Sequence, residues 1–152
     1  MASDFPCILV TTDFSELGNQ AVPVAFRLAA QAGQKVVLVH VTEEVFPSPL
    51  YAHYYPTPSP DQRARLRADA GAELERLIPK EHARVPREIQ LGAGTPAAEV
   101  CRIAKETHAS LIVVSSHGRR GVKHFVLGSV AESVVRHAPC SVLVLRLAQA
   151  TG

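Results

Sequence analysis

Residues Leu111 to Glu132 read LIVVSSHGRRGVKHFVLGSVAE. The run opens on four consecutive apolar residues, three of them β-branched. Unbroken apolar character over so short a length predicts a central parallel strand, because such a strand is covered on both faces and has no polar side to alternate with. The strand ends in the small residues Ser115 and Ser116, passes into the basic, glycine-bearing stretch His117 to Lys123, and meets Gly128-Ser129 where a helical pattern begins. Small residues let main-chain amides approach an anion, and a helix N-terminus adds unpaired N–H groups and a favourable dipole, so phosphate binding is one reading of this segment. A reading without a ligand is equally open. Ser129 followed three residues later by Glu132 has capping-box spacing, and Gly118 and Gly121 can serve turns.

Working outward, Cys7–Thr11 (CILVT) and Val36–Val41 (VVLVHV) have the same apolar, β-branched character, and Ser141–Leu145 (SVLVL) and the weaker Arg87–Leu91 (REIQL) complete five strands. Between them lie helical periods, such as Ala21, Val24, Ala25, Leu28, Ala29 and Ala32, and Leu66, Ala70, Leu74, Leu77 and Ile78. Alternating strands and helices predict an α/β fold, a three-layer sandwich around a doubly wound parallel sheet, and if its order is 3-2-1-4-5, strands one and four flank the point of reversal. Gly33 is placed to close the first helix, and Thr95-Pro96 to open a later one. Pro23 falls inside the first helical pattern and predicts a late start or a kink. Gly92-Ala93-Gly94 reads as a turn before the Thr95-Pro96 helix start. The stretch from Glu43 to Asp61, with five prolines and all three tyrosines, is expected to be a long loop inserted into a single domain spanning 1–152.

In such a sheet ligands lie beyond the carboxyl ends of the strands where the order reverses, between strands one and four. Thr12-Asp13 after the first strand and Ser115 to Gly118 after the fourth would then face one crevice. An aspartate there suits hydrogen bonds to ribose hydroxyls or an adenine amine. With Glu16 three residues later, Asp13 also suits an N-cap.

Bulk composition narrows the classes. Sixteen Lys and Arg against fourteen Asp and Glu leave a net charge of +2, with the basic residues scattered, so no nucleic-acid partner is indicated. No apolar stretch reaches bilayer length, so no membrane partner is indicated, and the N-terminus lacks a basic leader. Three separated cysteines without a Cys-x-x-Cys pair favour a reducing compartment, and a cytoplasmic location is expected. There is no Gly-x4-Gly-Lys-Ser/Thr loop, and the acidic residue a dinucleotide fingerprint needs after Gly92-Ala93-Gly94 is missing. The seven histidines show no ligand spacing, so no metal ligands are assigned. His117 lacks an identifiable nucleophile partner, and no catalytic residue is assigned.

Taken together, Ile8–Glu16 (ILVTTDFSE), LVHV of the second strand, Gly92 to Pro96, SSHGRRG from Ser115 and LGSVAESVVRHAPCSVLVL from Leu127 resemble the universal stress protein family across nearly the whole chain. The nucleotide-binding branch of that family carries Gly-x2-Gly-x9-Gly-Ser/Thr. Gly118, Gly128 and Ser129 match its last three defined positions, and Ser115 stands in place of the first glycine. The resemblance implies an adenine-nucleotide alpha-hydrolase-like fold and an ATP-binding stress-response or signalling module, working as a homodimer through its C-terminal strand. A dimeric interaction protein that binds no nucleotide and a slow ATP hydrolase are the alternatives. Residue by residue it implies that Thr12, Asp13 and the main chain of Val41 hold the adenosine end. Val114, Ser115, Ser116, His117, Gly118 and Arg119, with Gly128, Ser129 and Val130, would hold the triphosphate together with Mg2+ or Mn2+. Replacing Gly128 with a bulky residue is expected to abolish binding and leave the fold intact.

Overall fold

A computed structural model describes residues 6–43, 54, 57–117 and 127–146. Its elements follow in the order β1 (Cys7–Thr11), α1 (Glu16–Asn19), α2 (Ala21–Ala32), β2 (Lys35–Glu43), α3 (Pro60–Arg76), a 3-10 turn (Lys80–His82), β3 (Arg87–Gly94), α4 (Pro96–Glu106), β4 (Ala109–Ser115), α5 (Ser129–His137) and β5 (Ser141–Leu145). The five strands form one sheet of order β3-β2-β1-β4-β5, as expected, and every pairing is parallel.

Two apolar clusters sandwich the sheet, and strand alternation sorts side chains between them. Leu9, Val37, Val39 and Ile112 point to the face covered by α4 and α5, where they meet Val100, Ile103 and Val134. Ile8, Val10, Leu38 and Val113 point to the opposite face, against Val22, Ala25, Phe26 and Leu74 of α2 and α3. Burying each such side chain contributes on the order of 1.5–3 kcal/mol, which is why the central strands are nearly free of polar residues.

Boundaries depart from the sequence reading in physically instructive ways. Gly92 and Ala93 are not a turn: they extend β3, with Gly92 beside Val41 and Gly94 beside Glu43. The long loop is shorter than Glu43–Asp61, because Glu43 ends β2 and Ser59 caps α3. The Ser59 hydroxyl accepts from Gln62 N at 3.2 Å while Gln62 Oε1 accepts from Ser59 N at 2.8 Å, a reciprocal capping box followed by Pro60. The remainder of that loop, 44–53 and 55–56, lies outside the described residues. Leu66, expected on a buried face, is 58% exposed, and α3 reaches the core only from Leu74 onward. Pro23 produces a late start. A short helix ends at Asn19 and α2 begins at Ala21, so the proline occupies a first-turn position where its missing N–H has no intrahelical partner to lose. Gly33 closes α2 in the left-handed region, at φ 65°.

No helix among the described residues is long and apolar enough to cross a membrane. All three cysteines are free thiols, and burial is the leading cause that pushes each of them above the usual thiol range. Phe26 is fully buried under α2 against β1 and β2. Its replacement by alanine is expected to cost about 3–5 kcal/mol in urea unfolding, since the sheet behind it cannot collapse into the void.

Candidate functional site

The strand order reverses between β1 and β4, and the chain leaves both strands at the same sheet edge. After β1, Thr12 continues the ladder through its N–H to Val39 O at 3.1 Å and is 4% exposed. Its hydroxyl donates to Asn19 Oδ1 at 2.7 Å and accepts from Phe14 N at 3.0 Å. Phe14 is held at φ 63°, a left-handed conformation that non-glycine residues rarely adopt and that persists only where neighbours over-determine it. Asp13 therefore sits on a tight corner. Its Oδ1 accepts from Ser15 N at 3.0 Å and from Ser15 Oγ at 2.5 Å.

Asp13 is not the helix cap that its spacing to Glu16 suggested. Ser15 is the N-cap of α1, its hydroxyl accepting from Gly18 N at 2.9 Å, and Asp13 braces that hydroxyl from outside the helix. Gly18 matters here for the close approach: a Cβ on it would run into Asp13 Oδ1. Val41, two residues beyond the partner of Thr11 on β2, is 8% exposed, so its main chain is what a ligand at this edge can reach.

After β4, Val114 is 4% exposed and points into the core, leaving only its backbone to the edge. The Ser115 hydroxyl donates to His117 O at 2.8 Å, which closes the turn from within. Ser116 N donates to Leu145 O at 2.9 Å, extending the β4–β5 ladder, and Ser116 O accepts from Gly128 N at 2.7 Å. Ser116 Oγ lies 3.0 Å from His117 Nδ1. The Nε2 of the same ring is sealed from solvent and has no hydrogen-bond partner among the described residues. Gly118 and Arg119 lie outside the described residues, as do Arg120 and Lys123.

The chain returns at Gly128, which is the N-cap of α5 in an extended conformation and brings no side-chain acceptor. Ser129 is the first helical residue, so the expected capping box between Ser129 and Glu132 does not form. Glu132 Oε1 instead pairs with Arg136 at 2.9 Å, one turn further along. Ser129 and Val130 are exposed, and the first-turn N–H groups of α5 open at the sheet edge where β4 ends. A Cβ on Gly128 would meet Ser116 O at 2.9 Å, so this glycine is also a packing requirement. The expectation that a bulky residue there leaves the fold untouched is therefore corrected.

Thus Ser115, Ser116, His117 and Gly128 are joined by direct contacts, while Thr12, Asp13 and Val41 form the neighbouring half of the same edge. Ser15, Asn19 and His40, which hold the Asp13 corner, were missed by motif reading. Their only sequence signal is Ser15 at cap spacing before Gly18.

The universal stress protein family model matches residues 5–146. The chain belongs to the universal stress protein family. This universal stress protein is 33% identical to universal stress protein YxiE of Bacillus subtilis over 147 residues, covering 93% of this chain and 99% of that one. Its fold is similar to the solved structure of hypothetical protein MJ0577, with a TM-score of 0.77, 26% identity, and coverage of 96% of this chain and 99% of that one. It also shares its fold with the universal stress protein from Archaeoglobus fulgidus solved in complex with dAMP, at a TM-score of 0.65 and 18% identity, covering 96% of this chain and 100% of that one.

The contact under Gly128 gives a test that needs no ligand. Gly128→Ala is expected to destabilise the ligand-free universal stress protein by about 1–3 kcal/mol, because the neighbour in the way is backbone and cannot swing aside. Urea unfolding of the variant without nucleotide measures it.

Proposed function

We propose that this universal stress protein binds an adenine nucleotide, ATP in the first instance, across the reversal between β1 and β4, and that occupancy sets the state of a signalling or stress-response dimer. One observation carries the reading. The nine-residue helix α5 starts at this edge with a glycine N-cap that supplies no side-chain acceptor, and its exposed first turn adjoins the Ser115–His117 turn. First-turn N–H groups, which have no intrahelical acceptor, and the positive end of a helix dipole favour an anion at that place. On the neighbouring half of the edge, Asp13 and the main chain of Val41 supply acceptors for ribose hydroxyls or the adenine amine. A fold relative whose structure was solved in complex with dAMP supports the adenine class.

Among the described residues no group of three or more His, Cys, Asp or Glu side chains could hold a metal ion. A Mg2+ or Mn2+ bound here would therefore arrive with the nucleotide, ligated mainly by phosphate oxygens and water. The protein's own residues would bind and orient the phosphates, with Arg119 contributing charge.

Ser115 favours a second reading, an interaction protein of the same family that works without nucleotide. Its hydroxyl fills the turn where the nucleotide-binding signature has a glycine, and its bond to the His117 carbonyl holds that turn closed.

Thermal unfolding separates the two. A ligand at 100 times its Kd stabilises by about 2.7 kcal/mol, so millimolar Mg-ATP is expected to raise the Tm of the wild type clearly. Ser129→Glu is the discriminating variant. An acid in the first turn of a helix is favourable by about 0.3–1 kcal/mol, so α5 survives, while its charge repels phosphate. The nucleotide-dependent shift should disappear in this variant at unchanged or higher basal Tm. A folded wild type showing no shift with ATP, ADP or AMP sinks the nucleotide reading.

The proposed dimer uses the edge of β5 that faces away from β4. Ser116 N bonds Leu145 O, so Leu145 faces β4 and the N–H and C=O of Val144 point outward, away from the sheet. Val144→Pro removes one outward donor without breaking the β4–β5 ladder. Light scattering after size exclusion is expected to show a shift from dimer to monomer at unchanged secondary structure, and a wild type that elutes as a monomer rules the edge out.

A further inference from the structure

The interior side of the Asp13 corner is formed by one residue the nucleotide reading does not use. His40, the penultimate buried residue of β2, is 9% exposed. Its Nδ1 lies 2.9 Å from Thr12 O. A carbonyl oxygen only accepts, so at this distance Nδ1 carries the hydrogen and donates. The same ring packs on Phe14, with centroids 4.2 Å apart and planes tilted by 31°.

These two contacts bracket Asp13 on both sides along the chain. The donor fixes the carbonyl just before it, and the ring supports the residue just after it, which stands at φ 63°. A side chain at a left-handed position stays there only when its surroundings hold it, and the Phe14 ring has His40 as its aromatic support. Asn19 adds a bond to Thr12 Oγ1 at 2.7 Å and a long one to Phe14 O at 3.5 Å from the outer side. His40 also immediately precedes Val41 on β2. A single buried ring therefore ties together the two segments assigned to the adenosine end.

We infer that His40 is a positioning residue for the adenosine half of the nucleotide site, fixing the direction of the Asp13 carboxylate relative to the Val41 main chain, and that it has no part in holding the phosphates. This inference rests on the nucleotide reading above. It adds that base-and-ribose recognition and phosphate recognition are separable in this chain, the first depending on His40 and the second on the Ser115–His117 turn and α5.

Calorimetry with two probes, ATP and inorganic tripolyphosphate, each with Mg2+, tests it on His40→Phe and His40→Asn. His40→Phe keeps the ring and removes the donor. His40→Asn places an amide N–H near the position of Nδ1 and removes the ring. ATP affinity of His40→Phe is expected to fall about tenfold, the scale of one positioned hydrogen bond, while tripolyphosphate affinity stays within about twofold of wild type. His40→Asn should recover only part of the ATP affinity lost by His40→Phe, because the donor returns while the ring under Phe14 is gone. Phe14→Gly, which tolerates the left-handed backbone but removes the stacking partner, should lower ATP affinity selectively in the same way, and keeps the test available if His40→Phe does not fold.

Equal weakening of both probes, or unchanged ATP affinity in folded His40→Phe, overturns the role of His40. So does a Phe14→Gly variant that binds both probes as the wild type does. A wild type that binds neither probe instead defeats the nucleotide reading itself.

Discussion

The structure depends on the pairing of β1 with two partners at once. Val10 lies beside Leu38 on one side and Val113 on the other, so the central strand is bonded along both edges and buried on both faces. A backbone in that position can contain almost no polar side chains, because each would need an internal partner. Polar chemistry is displaced to the strand ends, and reversal of direction at β1 keeps two successive strand exits from being covered by a shared crossover. The edge proposed as the site is thus a by-product of how the sheet is wound, formed by the residues that follow β1 and β4.

Those two exits solve the same problem by different means. The β1 exit is rigid: Thr12, Ser15, Asn19 and His40 bond around a left-handed Phe14 and leave Asp13 little freedom to turn. The β4 exit is held, among the described residues, by bonds from Ser115 to His117, from Ser116 to Leu145 and from Gly128 to Ser116, and it adds the electrostatics of a helix end. A closely bonded half beside a half that ends on a helix N-terminus would suit the nucleotide proposed above, with its base at one end and phosphates at the other.

Much of this was legible beforehand, for physical reasons. Cys7–Thr11 and Ser141–Leu145 were readable to the residue because an apolar run of that length has no other stable destination in so mixed a chain. Alternation of strands and helices called for a doubly wound sheet without choosing among its orders, and 3-2-1-4-5, taken as a supposition, is the one adopted. What misled were motifs with two physical explanations. Ser129 and Glu132 have capping-box spacing, yet Gly128 reaches the extended conformation of a cap first and shifts Ser129 into the helix. Asp13 and Glu16 have it too, but Ser15 is two residues nearer the helix start and takes the cap. Gly92 and Ala93 looked like a turn because glycine weakens a strand, although an edge strand beside Val41 tolerates it. The left-handed turn at Phe14 had no signal at all, since a phenylalanine gives no hint of positive φ. The site was therefore legible as a place and not as a set of contacts.

The bond from Gly128 N to Ser116 O joins two points that are twelve residues apart in sequence. Whatever the chain does between them, its ends are already brought together by the folded sheet and helix. Loop-closure entropy then grows only logarithmically, by about 0.6 kcal/mol for each doubling of length. Changes of length between those two points should hence cost folding little, so that a constraint on the length or charge of that stretch would come from what it binds and not from the stability of the sheet.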